Sequence, residues 1–383
     1  MRQIHQNLGI PRVINARGTY TPLGVSRSSE PVIEAVAESL RHYFVMDELR
    51  RAFGEAVSEL TGAEWGTVTH CTAASITLSV AAVMTGSDPD KIRQLPGTTG
   101  MNNRFVIQAG HMVNYGQSIE QAIRLSGADV VIAGTPDSCT KQDLEAALGE
   151  AGVGGLIMVQ SRLCTGDMVD VEDAVALAKA KSMPVIFDAA AQDLIMADLL
   201  AVGADLTLFS AQKYLASPTA GLVLGKRDLV TAVSLQEGGI GRGMKAGKET
   251  FIGVLAALRQ RRDMDFDAWV SEQFFAAQKF AESISRLAPL EAKLVHDSLD
   301  NPFVRVQIFV DTEACDKTAP EIAERLATSD PIVIVQDHAD QENSLMLEIL
   351  ALNSQELEII ISLLAVIVYN RPVTAMRKRN IQE

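Results

Sequence analysis

The chain has 383 residues, of which 47% are hydrophobic and only 5% aromatic, so it can bury a large core and form two domains. Its formal net charge of −14 argues against an extended nucleic-acid surface. No stretch of about 18 apolar residues lacks charge, and the first seven residues hold no apolar signal core. We therefore expect a cytoplasmic protein with no membrane span.

Four cysteines are scattered along the chain, and they include no Cys-x-x-Cys pair: Cys71, Cys139, Cys164 and Cys315. Paired spacings are typical of zinc sites, and dense sets are typical of disulfide scaffolds. We therefore expect neither a metal nor a disulfide framework, and small buried thiols are the simpler interpretation.

The first sixty residues predict an irregular arm and then two helices. The arm spans Asn15 to Gly24 and contains glycine and proline. From Ser29 to Phe44 apolar residues recur on one helical face, and a second helix is expected from about Asp47 to Leu60.

From Thr67 onward, short apolar runs alternate with helical patterns. The runs that predict strands are Phe105–Gln108, Val130–Ala133, Leu156–Gln160, Val185–Phe187, Leu206–Phe209 and Gly221–Leu224. The helices between them are expected at Gln117–Leu125, Lys141–Leu148, Val171–Ala180 and Leu194–Val202. This alternation indicates a mostly parallel sheet covered on both faces, which binds ligands at the carboxyl ends of its strands.

The last third predicts a smaller α+β domain. Helices are expected at Phe251–Arg262, Trp269–Leu287 and Ser354–Tyr369, and strands at Val304–Val310, Pro331–Val335 and Leu345–Ile349. The predicted organisation is an N-terminal arm and helix (1–50) that joins the small domain, a large domain (51–258) and a small C-terminal domain (259–383).

Two charged residues each follow a predicted buried strand. Asp188 ends the strand at Val185–Phe187, and Lys213 follows the strand at Leu206–Phe209. Alone, Asp188 is as well explained by helix capping and Lys213 by a solvated loop. Together they match pyridoxal phosphate (PLP), which needs a lysine for its aldehyde carbon and a carboxylate for its ring nitrogen.

A phosphate site is predicted at the turn Thr69-His-Cys-Thr-Ala-Ala-Ser75, which precedes an apolar helix from Ile76. Small residues at a helix N-terminus let backbone N–H groups meet an anion, helped by the helix dipole. An ordinary N-cap is the alternative.

In order, these segments resemble the fold-type-I PLP enzymes, and most closely the selenocysteine-synthase-like branch, which includes an ammonia-lyase of amino-sugar acids. The resemblance covers most of residues 13–255. It rests on Val13–Gly24, Thr69–Ser75, Phe187–Gln192, Phe209–Lys213 and Gly241–Glu249. It implies an α/β, aspartate-aminotransferase-like large domain with a mostly parallel seven-stranded sheet, and a small α+β C-terminal domain.

The resemblance also implies a role for each matching residue. Lys213 would hold PLP as a Schiff base, Asp188 would contact the ring nitrogen, and His111 would lie against the ring. The remaining cofactor contacts would be Cys71, Thr72 and Ala73 at the phosphate turn, a phosphate hydroxyl on Ser210, and Gln192 at the ring oxygen.

A basic cluster follows at Arg242, Lys245 and Lys248. A Walker A loop needs Gly-x4-Gly-Lys-Ser/Thr, but the corresponding frame begins at Arg242 and ends in Glu249, which excludes a nucleotide loop. The resemblance implies an anion site that reaches a neighbouring subunit; a solvated helix start is the alternative. Arg17 and Arg305 are weaker candidates for binding a carboxylate.

The expected activity is that of a PLP-dependent carbon–nitrogen lyase, which removes ammonia from a β-hydroxy amino acid or amino-sugar acid and leaves a 2-keto-3-deoxy acid. We expect a homodimer or larger homo-oligomer and a small-molecule substrate. The acidic charge, and the lack of the tRNA-acting enzyme's N-terminal extension, argue against tRNA.

Several alternatives stay open. A racemase would use Cys71 or His111 as a second base, and a desulfurase would need a reactive cysteine. An aminotransferase, a non-catalytic PLP-fold protein and an α/β domain without PLP are further possibilities.

Overall fold

The computed structural model describes residues 2–338 and 343–369. The chain divides into two compact units: a larger one at Arg27–Met264, and a smaller one that joins the chain up to Ser26 with the chain from Asp265 onward. The predicted limits at residues 50 and 258 remain a prediction.

The strands of the described residues are β1 (Val13–Asn15), β2 (Trp65–Thr69), β3 (Arg104–Gln108), β4 (Asp129–Ala133), β5 (Val153–Val159), β6 (Val185–Asp188), β7 (Leu206–Ser210), β8 (Gly221–Gly225), β9 (Leu290–His296), β10 (Val304–Val310), β11 (Ile332–Ile334), β12 (Gln336–His338) and β13 (Ser344–Leu347).

The α-helices of the same residues are α1 (Arg2–Leu8), α2 (Glu30–Leu40), α3 (Met46–Thr61), α4 (Thr72–Thr85), α5 (Pro89–Gln94), α6 (Ile119–Arg124), α7 (Lys141–Leu148), α8 (Val171–Ala180), α9 (Met196–Ala201), α10 (Arg227–Leu235), α11 (Lys248–Asp263), α12 (Phe266–Ser285), α13 (Thr312–Cys315), α14 (Ala319–Ala327) and α15 (Ser354–Val368). None of the helices in this described part of the chain is both long and apolar enough to cross a membrane.

The larger unit is built on a seven-stranded sheet with the order β2-β8-β7-β6-β5-β3-β4. Strand β8 runs antiparallel to both of its neighbours, and the other pairs are parallel. The predicted mostly parallel seven-stranded sheet is therefore confirmed. Because β8 is the reversed strand, β2 ends at the same edge of the sheet as β7 and β6.

The strands are continuously apolar because both faces of this sheet are covered. Every residue of β6 and of β7 is buried. Helix α4 lies in the core beside them, where the hydroxyl of Thr77 donates to the Ala122 carbonyl at 2.7 Å. A buried helix and sheet of this kind give the residues at the strand ends a rigid support.

The smaller unit contains a four-stranded antiparallel sheet with the order β12-β13-β10-β9, and β1 pairs in parallel with β11. Helices α12, α14 and α15 supply its apolar core together with the sheet. The predicted small α+β domain is thus confirmed as a separate fold element.

Candidate active site

The carboxyl ends of β2, β7 and β6 form the edge of the sheet where the predicted site residues meet. Thr69, the last residue of β2, pairs with Gly221 of β8, which pairs with Ser210, the last residue of β7. Asp188 ends β6, which pairs in parallel with β7. Since neighbouring strands lie about 4.8 Å apart, this edge is wide enough to hold one small cofactor.

Asp188 and Lys213 interact electrostatically at this edge. Asp188 is 5% exposed, and burial raises the pKa of its carboxyl to about 6 although the charge of Lys213 acts in the opposite direction. Burial likewise lowers the pKa of Lys213, against the attraction of Asp188. The structure therefore brings the half-buried amine of Lys213 and the buried acid of Asp188 within reach of each other's charge.

The phosphate turn joins β2 to α4, with Cys71 in the extended N-cap position. The first N–H groups of a helix have no intrahelical acceptor, and the buried hydroxyl of Thr72 has no hydrogen-bond partner. A Cβ on Gly221 would lie 2.1 Å from Ser75 Oγ and 2.7 Å from the Cys71 carbonyl oxygen. Glycine at this position therefore leaves room for the turn, and donors remain for an anion.

Gln192 is fully buried, and neither the oxygen nor the nitrogen of its side-chain amide has a hydrogen-bond partner. A buried unsatisfied amide costs free energy unless a partner is supplied. Together with Thr72, it gives the site two polar groups that suit the ring oxygen and the phosphate of PLP.

His111 lies in a short 3-10 turn directly after β3 and is 6% exposed. Its Nδ1 accepts a hydrogen bond of 3.3 Å from the backbone N–H of Val159. Burial lowers the pKa of this imidazole to about 4, so the ring is neutral near pH 7. A neutral ring with an accepting Nδ1 carries its proton on Nε2.

Comparison with known proteins identifies the family of this chain. A family model described as "SelA: L-seryl-tRNA selenium transferase" matches residues 13–270. The chain belongs to the SelA family. The match includes β6, β7 and the whole phosphate turn.

Relatives within this family differ in their named activities. The chain is 33% identical to a D-glucosaminate-6-phosphate ammonia lyase of Salmonella typhimurium over 324 residues, 84% of this chain and 86% of that protein. It is 31% identical to a 5'-C-glycyluridine monooxygenase-decarboxylase of Streptomyces sp over 87% of this chain and 84% of that protein. An L-seryl-tRNA(Sec) selenium transferase of Serratia proteamaculans matches at 27%, over 66% of this chain and 57% of its own length.

Solved structures identify the fold. The structure of D-glucosaminate-6-phosphate ammonia-lyase superposes with a TM-score of 0.88 at 30% identity, covering 96% of this chain and 99% of that one. Serine palmitoyltransferase of Sphingomonas wittichii superposes with a TM-score of 0.58 at 13% identity, covering 94% and 88% of the two chains. The SelA-family chain therefore has the fold of the fold-type-I PLP enzymes, as predicted.

The basic cluster of this SelA-family chain lies beside the phosphate turn. The backbone N–H of His70 donates to the Met244 carbonyl at 3.0 Å, which ties the turn to the segment that carries the cations. Arg242 and Lys245 are exposed. Lys248 begins α11, and its Nζ donates to the carbonyl of His42.

Arg17 and Arg305 belong to the smaller unit. The guanidinium of Arg17 lies 4.1 Å from the centre of the Tyr20 ring. Arg305 is bonded to the buried carboxylate of Glu348 at 2.7 Å and lies 3.7 Å from Asp297. The structure thus gives Arg305 two carboxylates within its own unit, and its predicted role toward a substrate stays a prediction.

Three residues at this edge were not foreseen in the sequence. Arg162 follows β5, and its charge lowers the pKa of Lys213. Tyr115 lies in the loop after His111, where burial, Asp188 and then Cys71 raise the pKa of its hydroxyl. Asp193 is 2% exposed and close enough for Lys213 to affect its pKa. Their shared signal is a place in loops that follow parallel strands, where ligands bind.

Proposed function

We propose that this chain is a PLP-dependent ammonia-lyase that acts on an amino-sugar acid and releases ammonia and a 2-keto-3-deoxy acid. The observation that carries the proposal is the electrostatic pair of buried Asp188 and half-buried Lys213 at one sheet edge, with the unsatisfied amide of Gln192 in the loop that follows Asp188. The named activity of the relative that is 33% identical supports the lyase reaction and the substrate class.

The cofactor is pyridoxal phosphate. When bound, it draws electrons from the carbon that carries the substrate amine and so makes the proton on that carbon acidic. Lys213 would hold its aldehyde carbon through Nζ. The carboxylate of Asp188 would accept a hydrogen bond from its ring nitrogen and keep that nitrogen protonated.

Lys213 has a second use as a base. Burial lowers the pKa of Lys213, which favours a neutral Nζ once the substrate amine has displaced it. A neutral Nζ can take the proton from the amine-bearing carbon, and the hydroxyl on the next carbon leaves as water. The released enamine then takes up one water and gives ammonia and the 2-keto-3-deoxy acid.

The other predicted residues would fix the cofactor. The backbone at Cys71, Thr72 and Ala73 would donate to its phosphate, helped by the Thr72 and Ser210 hydroxyls. Neutral His111 would cover the ring without adding charge, and Gln192 would contact the ring oxygen.

The cations Arg242, Lys245 and Lys248, with Arg17 and Arg305, would provide for the anionic groups of the substrate. The substrate named for that relative carries a phosphate, and exposed Arg242 and Lys245 lie in the segment bonded to the phosphate turn. We therefore take a phosphorylated amino-sugar acid as the first substrate to test.

Thiol chemistry is less well supported. Burial raises the pKa of the Cys164 thiol to about 11, and its Sγ contacts the Val159 carbonyl oxygen at 3.5 Å. A protonated thiol is a poor nucleophile, so Cys164 does not favour a desulfurase.

The proposal includes the cytoplasm as the compartment and a homo-oligomer as the working form. All four cysteines are free thiols, which suits a reducing compartment. The segment after α2 exposes Tyr43 completely and 70% of Val45, and exposed apolar patches are typical of subunit contacts.

The proposal is tested by incubating the purified holoenzyme with D-glucosaminate-6-phosphate and measuring ammonia and keto acid. We expect equal amounts of both products, and we expect Lys213→Ala to abolish them together with the visible absorbance of the bound cofactor. Racemised substrate without ammonia, or an amine transferred to a keto-acid acceptor, would replace the lyase assignment with a rival. Full turnover by Lys213→Ala would overturn the site itself.

A further inference from the structure

Lys213 lies on a turn after β7 whose backbone conformation is strained at Ala216. Its backbone N–H donates to Ser210 at 2.8 Å, and its carbonyl accepts from Ala216 at 3.2 Å. Ala216 has a φ of 54°, in the left-handed region that a residue with a Cβ seldom adopts. Such a conformation persists only where neighbouring groups enforce it.

Two side chains, buried Asp193 and half-buried Arg261, contact the peptide groups that follow Lys213. Oδ2 of Asp193 accepts a hydrogen bond of 3.0 Å from the N–H of Leu215. From the other side, Nη2 of Arg261 donates to the carbonyl of Tyr214 at 2.8 Å. Arg261 also donates through Nη1 to the backbone carbonyl of Asp193 at 3.4 Å, which joins the two contacts.

These contacts connect the turn of Lys213, after β7, with the loop that follows Asp188 at the end of β6. Asp193 lies in the loop that starts at Asp188, five positions earlier in the sequence, and Arg261 lies in the last turn of α11. The peptide groups after Lys213 are thereby tied to the same loop that carries the acid.

Two cations act on the Asp193 carboxyl. Burial raises its pKa to about 6, and the positive charges of Arg261 and, to a smaller extent, of Lys213 act against this rise. An asparagine oxygen would accept the same N–H at a smaller desolvation cost but would not attract these cations. The Asp193 carboxylate therefore stabilises a positive charge on Lys213 as well as on Arg261.

We propose that Asp193 and Arg261 are positioning residues that hold the turn of Lys213 against Asp188, and that the Asp193 charge favours the protonated form of the cofactor-bound Lys213 nitrogen. This inference rests on the proposed cofactor site at Lys213 for the spectral part of its test and on the proposed lyase activity for the kinetic part. The contacts, the burial and the charges carry the rest.

The test compares Asp193→Asn with Asp205→Asn. Asp205 is also a buried aspartate, at 5% exposure, and it accepts a backbone N–H bond of 2.8 Å from Val185. It precedes β7 at the opposite, amino end of the same strands. The visible absorbance of the holoenzyme is titrated with pH for both variants, and kcat and KM are then measured.

For Asp193→Asn we expect a downward shift of the spectral midpoint by at least half a pH unit and a tenfold or greater loss of kcat with KM within threefold. For Asp205→Asn we expect neither. Arg261→Met should lower kcat, and Arg261→Lys, which keeps a donor, should restore most of it. An unchanged midpoint in Asp193→Asn, or an equal shift in Asp205→Asn, would overturn the proposal. If the wild-type protein has no visible absorbance band, or has the band but no lyase activity, the result would instead count against the proposed function.

Discussion

At the scale of single residues, burial decides the protonation states in this site. It raises the pKa values of Asp188 and Asp193 to about 6, lowers that of His111 to about 4 and lowers that of Lys213. Each shift favours the uncharged form, and the nearby opposite charges only partly reverse it. The shifted pKa values therefore make it easier for Asp188 and Lys213 to gain and lose protons near neutral pH, as the proposed reaction needs.

Asp188→Asn should stabilise the apoprotein above pH 6. The carboxyl has a pKa of about 6 in the folded chain against an ordinary value of 3.8. Between these values the folded state holds more protons than the unfolded state, so a rising pH lowers the stability of the native protein. The stability advantage of the variant should be small at pH 4 and approach about 3 kcal/mol at pH 7.

Denaturant unfolding of both apoproteins across this pH range measures the difference. A stability difference that does not change with pH would contradict the buried ionisation. The same variant should lose at least 100-fold in kcat, because an amide does not hold the ring nitrogen protonated.

At the scale of elements, the order of strands places the phosphate turn beside the turn that carries Lys213.

Most strands and helices were predicted within a few residues, since burial on both faces leaves a continuous apolar run. Helix α6 begins at Ile119 rather than at Gln117, because the Ser118 side chain accepts the Gln121 N–H as an N-cap. Among the elements that were missed are strands β2 and β9 and helices α10 and α14. The capping box formed by Thr318 and Glu321 could have marked the start of α14.

Gly221→Ala should weaken cofactor binding through the contact between β8 and the phosphate turn. The added Cβ would lie 2.1 Å from Ser75 Oγ and 2.7 Å from the Cys71 carbonyl oxygen, so the turn must move. We expect the dissociation constant for PLP, measured by absorbance titration of the apoprotein, to rise at least tenfold.

Gly238→Ala is the matched control, because a Cβ at that glycine would meet no atom within 4 Å. It should leave the dissociation constant unchanged. Wild-type affinity in Gly221→Ala would show that the close approach does not position the phosphate turn.

At the scale of the whole molecule, a net charge of −14 contrasts with the three cations of the basic cluster. General repulsion between the protein and an anionic substrate makes a local positive site important for capture. The exposure of Arg242 and Lys245 leaves their charge available to solutes, and partly screened by salt.

The double variant Arg242→Gln, Lys245→Gln should raise KM for a phosphorylated amino-sugar acid about tenfold and leave KM for the unphosphorylated compound within twofold. Charge–charge attraction to the phosphate supplies this difference, so it should shrink as salt is added. Steady-state kinetics with both substrates at two salt concentrations measures it. Equal increases in KM for both substrates would show that Arg242 and Lys245 do not recognise the phosphate.

The sequence by itself determined the alternation of strands and helices, because the periodicity of apolar residues reports local burial. It also determined that Lys213 and Asp188 follow buried strands, which is a matter of position along the chain. Only the tertiary structure showed the pairing order of the strands and the hydrogen bonds of Asp193 and Arg261 to the turn of Lys213. It also placed Arg162 and Tyr115 at the same edge of the sheet. These features depend on contacts between residues far apart in sequence and on the desolvation that those contacts produce, and no local pattern records either.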